Sequence, residues 1–414
     1  MSIGFCSCRE WQILCGEYPK ICKRNRGTRR KSMNGLKQIV QSNRVWLCLD
    51  CGKCSSVCPI TRHVVDHYTS PRLLVETAIG LGEDAVLDDP LLWSCLTCNQ
   101  CTEICPSLVS FSDFIQNVRE VARDQNRSGD CTHGGMIQTW GRMMTDPELK
   151  QDRLDWIEND LKTSEESDTV YFTGCLPYYD AAFEKLDIEG IEIARAALKI
   201  LNHLGIEPIV LADERCCGHD QYWQGDMAAF RKLGEANLDI LKKTGAKRIV
   251  TTCPECAWTL KHTYPDTIGD SGMEVLHLAE LLAETDLLDK IPINPDTAHK
   301  RVTYQDPCRL GRFSGVYQSP RDLIQGLGYE IKEMDHNREA SLCCGTSCWS
   351  SCGQVNKKIQ VERLKEAKSS GAELLITACV KCQIHFKCAQ NDPVLEEEIQ
   401  INIRDLTTLI AEQL

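Results

Sequence analysis

The stretch GAKRIVTTCPEC (245–256) returns later in the chain as GAELLITACVKC (371–382). In both copies an apolar run ends at a Cys-x2-Cys pair, which predicts a buried strand with two thiols at its carboxyl end. The repetition continues on both sides, as the following pairs show: TVYFTGC (169–175) with RVTYQDPC (301–308), LGIEPIVL (204–211) with LGYEIKEM (327–334), and EVLHLAELLAE (274–284) with INIRDLTTLIAE (401–412). A repeat of this length indicates two duplicated domains, 168–292 and 293–414.

Strand-like and helix-like segments alternate within each copy. The segment IEIARAALKILNHLG (191–205) has helical periodicity, and short apolar runs stand before and after it. Such alternation predicts an α/β unit with a mainly parallel sheet. Ligands of open α/β sheets bind at the carboxyl ends of the strands, which is where the cysteines of both copies lie.

Each copy contains five cysteines in one order: a single cysteine, then Cys-Cys-Gly, then Cys-x2-Cys. The first cysteine-rich site is Cys175, Cys216, Cys217, Cys253 and Cys256, and the second is Cys308, Cys343, Cys344, Cys379 and Cys382. A [4Fe–4S] cubane uses four thiolates, so a fifth could bridge two irons or give way to the sulfur of a substrate. Adjacent side chains in an extended segment point to opposite faces. Gly218 and Gly345 permit the turn that would let both thiols face one site.

Upstream, two runs have the spacing C-x2-C-x2-C-x3-C-P: CLDCGKCSSVCP (48–59) and CLTCNQCTEICP (95–106). This spacing is typical of paired [4Fe–4S] clusters, in which the fourth cysteine of each run binds the other cluster. We therefore predict a cubane-1 site of Cys48, Cys51, Cys54 and Cys105, and a cubane-2 site of Cys95, Cys98, Cys101 and Cys58. Structural zinc is the alternative, but it needs only four thiolates per ion. The helical segments at 71–81 and 109–126 make residues 33–130 a helical ferredoxin-type domain.

Composition narrows the class of protein further. The chain has 414 residues, 26 cysteines and a net charge of −12, and an acidic surface argues against nucleic acid as a partner. No apolar run is long enough for a membrane span, and no signal peptide is visible. Thiols crowded into short runs favour metal binding in a reducing cytoplasm over a secreted disulfide scaffold. We expect a cytoplasmic protein that a partner could hold at the inner face of the membrane.

Two segments carry weaker signals. Residues 1–32 are basic and aperiodic, and we expect an extension without function; the alternative is a metal-binding or docking arm built on Cys6, Cys8, Cys15 and Cys22. Residues 131–167 end in the polar run TSEESD and form a connector, in which Cys131 is a bystander.

The two cysteine-rich copies resemble a known family, with the best agreement at FTGCLPYY (172–179) and TTCPECAWTLKHTYP (251–265). They are similar to the paired CCG domains in the B-type subunit of heterodisulfide reductase, while residues 33–130 resemble the C-type subunit of that enzyme. A chain with both resembles the fused, D-type subunit, related to iron–sulfur subunits of glycolate, lactate and glycerol-3-phosphate oxidising complexes. The resemblance implies a noncubane [4Fe–4S] cluster in one or both CCG domains, with zinc held in one copy of some relatives. It also implies that a disulfide is cleaved at iron.

The chain departs from that family at several positions. Gln305 and Arg309 stand where relatives often have histidines, and Val380 replaces the proline of C-P-x-C. The run TSCWSSCG (346–353) replaces a glycine-rich segment. These differences bear on the identity of the substrate more than on the cluster.

Several side chains near the motifs are candidates for a functional role. His219 could give a proton to a departing thiolate, although a surface or hydrogen-bonded histidine is the simpler interpretation. We expect Cys348 and Cys352 to line the pocket without binding metal, Cys388 to be buried, and Trp223 and Trp349 to shield a cluster from water. Lys53 and Lys381 could offset cluster charge, but solvated lysines are the default expectation.

Three functions remain open from the sequence. The chain could be a redox catalytic subunit, with the second cysteine-rich site as the place where a disulfide or thiol substrate reacts. It could instead relay electrons between a flavoprotein dehydrogenase and a membrane quinone or cytochrome partner, or bind zinc as a docking subunit. No flavin or nicotinamide fingerprint is present, so we expect a multi-subunit complex with a flavoprotein or b-type cytochrome as the electron partner.

Overall fold

The computed structural model describes residues 35–64, 69–287, 293–295, 297–393 and 397–414. The N-terminal extension 1–32, for which the alternative is an arm built on Cys6, Cys8, Cys15 and Cys22, lies outside the described residues. None of the helices in these ranges combines the length and apolar character needed to cross a bilayer.

Helices dominate the described ranges, and the strands are short. The α-helices are Leu36–Ser42, Lys53–Val57, Pro59–His63, Pro71–Gly80, Glu83–Leu87, Leu91–Ser94, Gln100–Glu103, Phe111–Asp124, Met136–Met143, Leu176–Ala182, Gly190–His203, His219–Trp223, Met227–Thr244, Pro254–Trp258, Tyr264–Thr267, Leu278–Ala283, Gln318–Gly326, Gln354–Ser369, Val380–Gln390 and Leu406–Ala411. The strands are β1 Thr169–Tyr171, β2 Arg248–Thr251, β3 Glu274–His277, β4 Arg301–Gln305, β5 Glu330–Ile331, β6 Leu374–Thr377 and β7 Asn402–Asp405.

The two sheets have the same topology, as the repeat predicts. The first sheet has the order β1-β2-β3 and the second the order β5-β4-β6-β7. All pairs are parallel, with Tyr171 opposite Val250 and Tyr304 opposite Ile376. In the first copy an isolated parallel bridge between Val170 and Ile209 stands where β5 stands in the second. The α/β fold class with mainly parallel sheets is confirmed.

The helices bury apolar faces that the periodicity predicts. Phe111–Asp124 buries Phe114, Ile115, Val118 and Ala122, within the predicted segment 109–126. In each copy the last strand runs directly into a helix that the strand's final side chain caps: His277 accepts from the amide of Ala279, and Asp405 from that of Thr407. Such caps satisfy amides at the start of the helix.

The three units share their cores. One buried cluster contains side chains of both α/β copies, where Gly190–His203 packs against Leu406–Ala411. A second cluster joins the helical domain to the second copy, bringing Phe114 and Ile115 together with Cys343 and Cys344. The cysteine sites therefore lie where the units meet.

Candidate functional site

The cysteines of the two ferredoxin runs gather in the crossed arrangement that the spacing predicts. Cys58, Cys95, Cys98 and Cys101 line one cavity. The thiol of Cys54, in turn, lies close enough to Cys48 and Cys105 for their charges to interact. Cys51 is exposed, whereas Cys98 is buried. The cubane-1 site is thus the outer one of the pair.

Both runs hold their first cysteine by the same backbone turn. Asp50 and Thr97 adopt positive φ values of 52° and 45°. Their amides donate to the Sγ atoms of Cys48 and Cys95, each at 3.4 Å. Amide donors favour the thiolate form of cysteine, which is the form that binds iron. Burial is the largest cause that raises the pKa of Cys95 to about 12, against the charge of Arg119 and the amide of Thr97, which lower it.

The five thiols of the first cysteine-rich site form one connected series. Hydrogen bonds link them in the order Cys175, Cys216, Cys217, Cys256 and Cys253. They line one cavity of about 320 Å³ empty volume, together with Tyr179 and Asp220. Gly218 has a φ of 83°, as expected for the turn that brings adjacent cysteines to one site. Hydrogen bonds from Cys175 and Cys217 hold the pKa of Cys216 well below its usual value.

The second site repeats this series with its own residues. Its thiols are linked in the order Cys308, Cys343, Cys344, Cys382 and Cys379. Gly345 has a φ of 91°. Hydrogen bonds from Cys343 and Cys382 lower the pKa of Cys344 to about 6. Each cysteine-rich site therefore contains one thiol whose pKa its neighbouring thiols lower.

The four groups of cysteines lie next to one another in a row. Charge interactions join neighbouring groups through the pairs Cys54–Cys101, Cys98–Cys343 and Cys253–Cys379. The order is cubane-1 site, cubane-2 site, second cysteine-rich site and first cysteine-rich site.

Lys381 joins the two cysteine-rich sites. Its Nζ atom lies 2.6 Å from Glu255 Oε2 and 2.5 Å from Asp220 Oδ1. The side chain is only 6% exposed, so the expectation of a solvated lysine is wrong at this position, because two buried carboxylates hold it. Lys53 is exposed, as expected.

His219 is buried and held on both sides. Arg309 Nε donates to its Nε2 atom at 2.9 Å, and Asp220 Oδ1 lies 3.1 Å from its Nδ1 atom. Because Nε2 accepts, the proton of the neutral ring lies on Nδ1 and is donated to Asp220. Burial lowers the pKa of His219. The simpler interpretation, a hydrogen-bonded histidine, describes these contacts; a surface position does not.

The tryptophans and further cysteines that the sequence analysis named differ in burial and in the side chains they contact. Trp223 and Trp349 are each 1% exposed, and the guanidinium carbon of Arg309 lies 4.2 Å from the centre of the Trp223 ring. Cys348 is buried and contacts Arg119 Nη1 at 3.6 Å. Cys388 is half-buried instead of fully buried, because Lys357 Nζ reaches its sulfur at 3.2 Å.

The pocket prediction for Cys348 and Cys352 stays a prediction. Cys352 is half-buried and Cys131 is exposed. Cys131 lines a surface cleft whose inner wall includes Asp220.

Sequence reasoning missed several residues at the sites. Glu255 occupies the position of the repeat that is equivalent to Lys381, and the opposite charges of these two residues are a sequence signal that could have identified it. His385 follows Cys382 by three residues, and its Nδ1 atom lies 3.2 Å from Cys344 Sγ. Arg119 interrupts the apolar face of its helix four residues after Ile115.

The donor sets fit iron–sulfur groups. The sites offer four, four, five and five thiols, of which half are buried, with amide donors on the first cysteine of both ferredoxin runs. Buried thiolates of this number need cationic metal to offset their charge.

Comparisons with known proteins agree with this chemistry. Residues 44–109 match the family described as 4Fe-4S dicluster domain. Residues 169–261 and 302–387 match the family described as Cysteine-rich domain.

Curated relatives come from several redox systems. The D-type subunit of the dihydromethanophenazine:CoB--CoM heterodisulfide reductase of Methanosarcina barkeri is 32% identical over 279 residues, covering 64% of this chain and 63% of that protein. The B-type subunit of the fumarate reductase (CoM/CoB) of Methanothermobacter marburgensis is 27% identical, covering 87% and 60%. The EtfAB:quinone oxidoreductase of Syntrophomonas wolfei is 28% identical, covering 52% and 30%. The chain thus matches less than two thirds of the length of each of these relatives.

Proposed function

We propose that this chain delivers electrons one at a time to a sulfur substrate. It is an iron–sulfur homologue of the D-type subunit of heterodisulfide reductase and joins a 4Fe-4S dicluster domain to two cysteine-rich domains. The reaction class is disulfide reduction or its reverse. Two electrons and two protons convert one disulfide into two thiols. A partner protein of a multi-subunit complex supplies the electrons, and solvent supplies the protons.

One observation carries the proposal: the four cysteine groups form an uninterrupted row from the surface to the two five-thiol sites. The row begins at the exposed Cys51 and passes the enclosed cubane-2 site. A docking platform would not need cysteine groups close enough for their charges to interact from one end of the row to the other. This order supports inward electron transfer from a flavoprotein or b-type cytochrome that docks at the cubane-1 end.

The number of thiols at each site determines which cofactor we assign to it. The two ferredoxin groups would hold [4Fe–4S] cubanes, and the two five-thiol groups would hold noncubane [4Fe–4S] clusters. When bound, such iron supplies one-electron redox chemistry and a coordination position for sulfur. We assign substrate chemistry to the second cysteine-rich site, because it lies next to the cubane-2 site.

The chain's own residues prepare that site. His385 Nδ1 hydrogen-bonds to Cys344 Sγ and so orients this thiol. Trp349 packs against His385, with 5.2 Å between ring centres, and excludes water from that side. Lys381 lies between Cys379 and Cys382 in sequence, and its ammonium group is held beside these thiols by Asp220 and Glu255.

A second function is a pure electron relay to quinone chemistry. It is favoured by the similarity to the EtfAB:quinone oxidoreductase of Syntrophomonas wolfei. In that case the cysteine-rich sites would carry electrons without binding a substrate sulfur.

Anaerobic iron, zinc and sulfide analysis with electron paramagnetic resonance (EPR) tests the proposal. We expect clearly more than about eight irons per chain, the content of two cubanes. The Cys344→Ser variant should lose a noncubane signal and keep both cubane signals, whereas Cys388→Ser, a matched control, should change neither. Eight irons with cubane signals only would remove the catalytic function. A signal that responds to an added disulfide distinguishes catalysis from relay.

A further inference from the structure

Three buried arginines converge on the loop of the cubane-2 site. Arg119, Arg309 and Arg312 are 0%, 2% and 7% exposed. Arg119 comes from the long helix of the ferredoxin-type domain, whereas the other two lie in the π-helical turn Arg309–Phe313 that follows Cys308. Single π-helical turns are frequent at functional sites.

Each arginine donates to a backbone carbonyl of this loop. Arg119 Nη2 reaches Cys95 O at 2.8 Å, Arg309 Nη1 reaches Thr97 O at 2.7 Å, and Arg312 Nε reaches Cys98 O at 2.6 Å. Three positive charges therefore surround the cubane-2 cysteines at fixed positions.

Carboxylates do not balance these charges. Among the described residues, no carboxylate lies within ion-pair distance of any of the three arginines. The charge of Arg309 acts on the Asp113 carboxylate only over a longer distance. By contrast, three other buried arginines have carboxylate partners: Arg153 with Glu214, Arg321 with Asp306, and Arg363 with Glu366. Arg215, which precedes Cys216 and is 6% exposed, donates to a backbone carbonyl instead. A buried cation without a counter-ion is costly, so the missing negative charge belongs to the group that the cysteines bind.

Within the described part of the chain, no buried arginine side chain donates to the cubane-1 cysteines. Arg72, whose charge interacts with the cubane-1 thiol of Cys54, is 33% exposed and pairs with Asp50 and Glu76. Its charge is therefore neutralised locally and screened by solvent. Burial alone would make the cubane-2 group harder to reduce than the solvent-exposed cubane-1 group, since adding an electron adds negative charge.

We infer that Arg119, Arg309 and Arg312 act as positioned charges that raise the reduction potential of the cubane-2 group above that of the cubane-1 group. Electrons received at the surface then run downhill toward the cysteine-rich sites and do not return to the partner. This inference rests on the proposed assignment of two cubanes.

An EPR-monitored redox titration of the full chain under anaerobic conditions tests it. The two cubane signals are assigned with Cys51→Ser, which alters the cubane-1 signal, and Cys101→Ser, which alters the cubane-2 signal. In the unmodified chain we expect the cubane-2 signal to develop at the higher potential. The opposite order of the two midpoints would overturn the inference, whatever the midpoints of the Arg312 variants are.

Variants of Arg312 separate charge from structure. Arg312→Met should lower the cubane-2 midpoint so that the ratio of reduced to oxidised group at fixed potential falls at least tenfold, or 59 mV for one electron. Arg312→Lys keeps the charge and should retain most of the potential. Arg72→Met, the matched control at the cubane-1 loop, should leave the cubane-2 midpoint unchanged. An unshifted midpoint in Arg312→Met would also overturn the inference.

Failure of the proposed function gives a different result. A chain with fewer than two cubane signals contradicts the cluster assignment itself. Two cubane signals with the wrong order contradict only the role of the arginines.

Discussion

Glu255 and Lys381 occupy equivalent positions in the two Cys-x2-Cys pairs, and they form an ion pair with each other at 2.6 Å. The same lysine also binds Asp220. The duplicated motifs thus meet face to face, with an acid in one copy and a base in the other. Because all three side chains are largely buried, each depends on the others for its charge to be tolerated.

Removal of Lys381 should therefore destabilise the chain strongly. Lys381→Met leaves two buried carboxylates without their cation, and we expect a loss of about 3–5 kcal/mol in the free energy of unfolding. Denaturant titration under anaerobic conditions measures this. As a control, Lys387→Met removes the partner of the fully exposed Asp187 and should cost about 1 kcal/mol or less. Equal losses in both variants would contradict the role assigned to the buried pair.

The crossed arrangement of the ferredoxin runs makes a second prediction. Cys58 belongs to the first run but lies with the cysteines of the second. Cys58→Ser should therefore change the same cubane signal as Cys101→Ser, because serine at this position replaces one of four thiolate ligands. EPR spectra of the reduced variants report this. If Cys58→Ser instead changes the signal that Cys51→Ser changes, Cys58 binds the cluster of its own run and the crossed arrangement is contradicted.

Gly225 fixes the contact between the first cysteine-rich domain and the long ferredoxin helix. It has a φ of 74°, and a Cβ atom there would lie 2.4 Å from the backbone carbon of Arg119. Because the backbone cannot yield easily, Gly225→Ala should destabilise the chain by about 2–4 kcal/mol. Thermal unfolding measures the effect. Gly245→Ala, with a φ of 66° and no atom within 4 Å, should lose only about 1 kcal/mol from backbone strain.

Asp405 makes stability depend on pH. Burial raises its pKa to about 7, above its value of about 3.9 in an unfolded chain. Between these values the folded state holds the extra proton, so stability falls as the pH rises through 7. Asp405→Asn should reduce this decline by a few kcal/mol between pH 5 and 8, as measured by unfolding at a series of pH values. Asp187→Asn, at an exposed side chain, should leave the decline unchanged.

Much of the fold could be predicted from the repeat. Equivalent strands, parallel sheets and the positive φ of Gly218 and Gly345 follow from local patterns of apolar residues, cysteines and glycines. The grouping of cysteines follows from motif spacing. The buried state of Lys381 and Arg119 could not be predicted, because a lysine or arginine is normally exposed. Their partners come from other units, and no local pattern specifies how the units pack.

Arg119 also determines how the molecule can move. Its guanidinium donates to Cys95 O, Trp223 O and Cys348 Sγ, and so it ties together the ferredoxin-type domain and both cysteine-rich copies. Separation of these units would break all three hydrogen bonds and leave the buried guanidinium without acceptors, which is costly. This one side chain therefore opposes motion of the three units relative to one another.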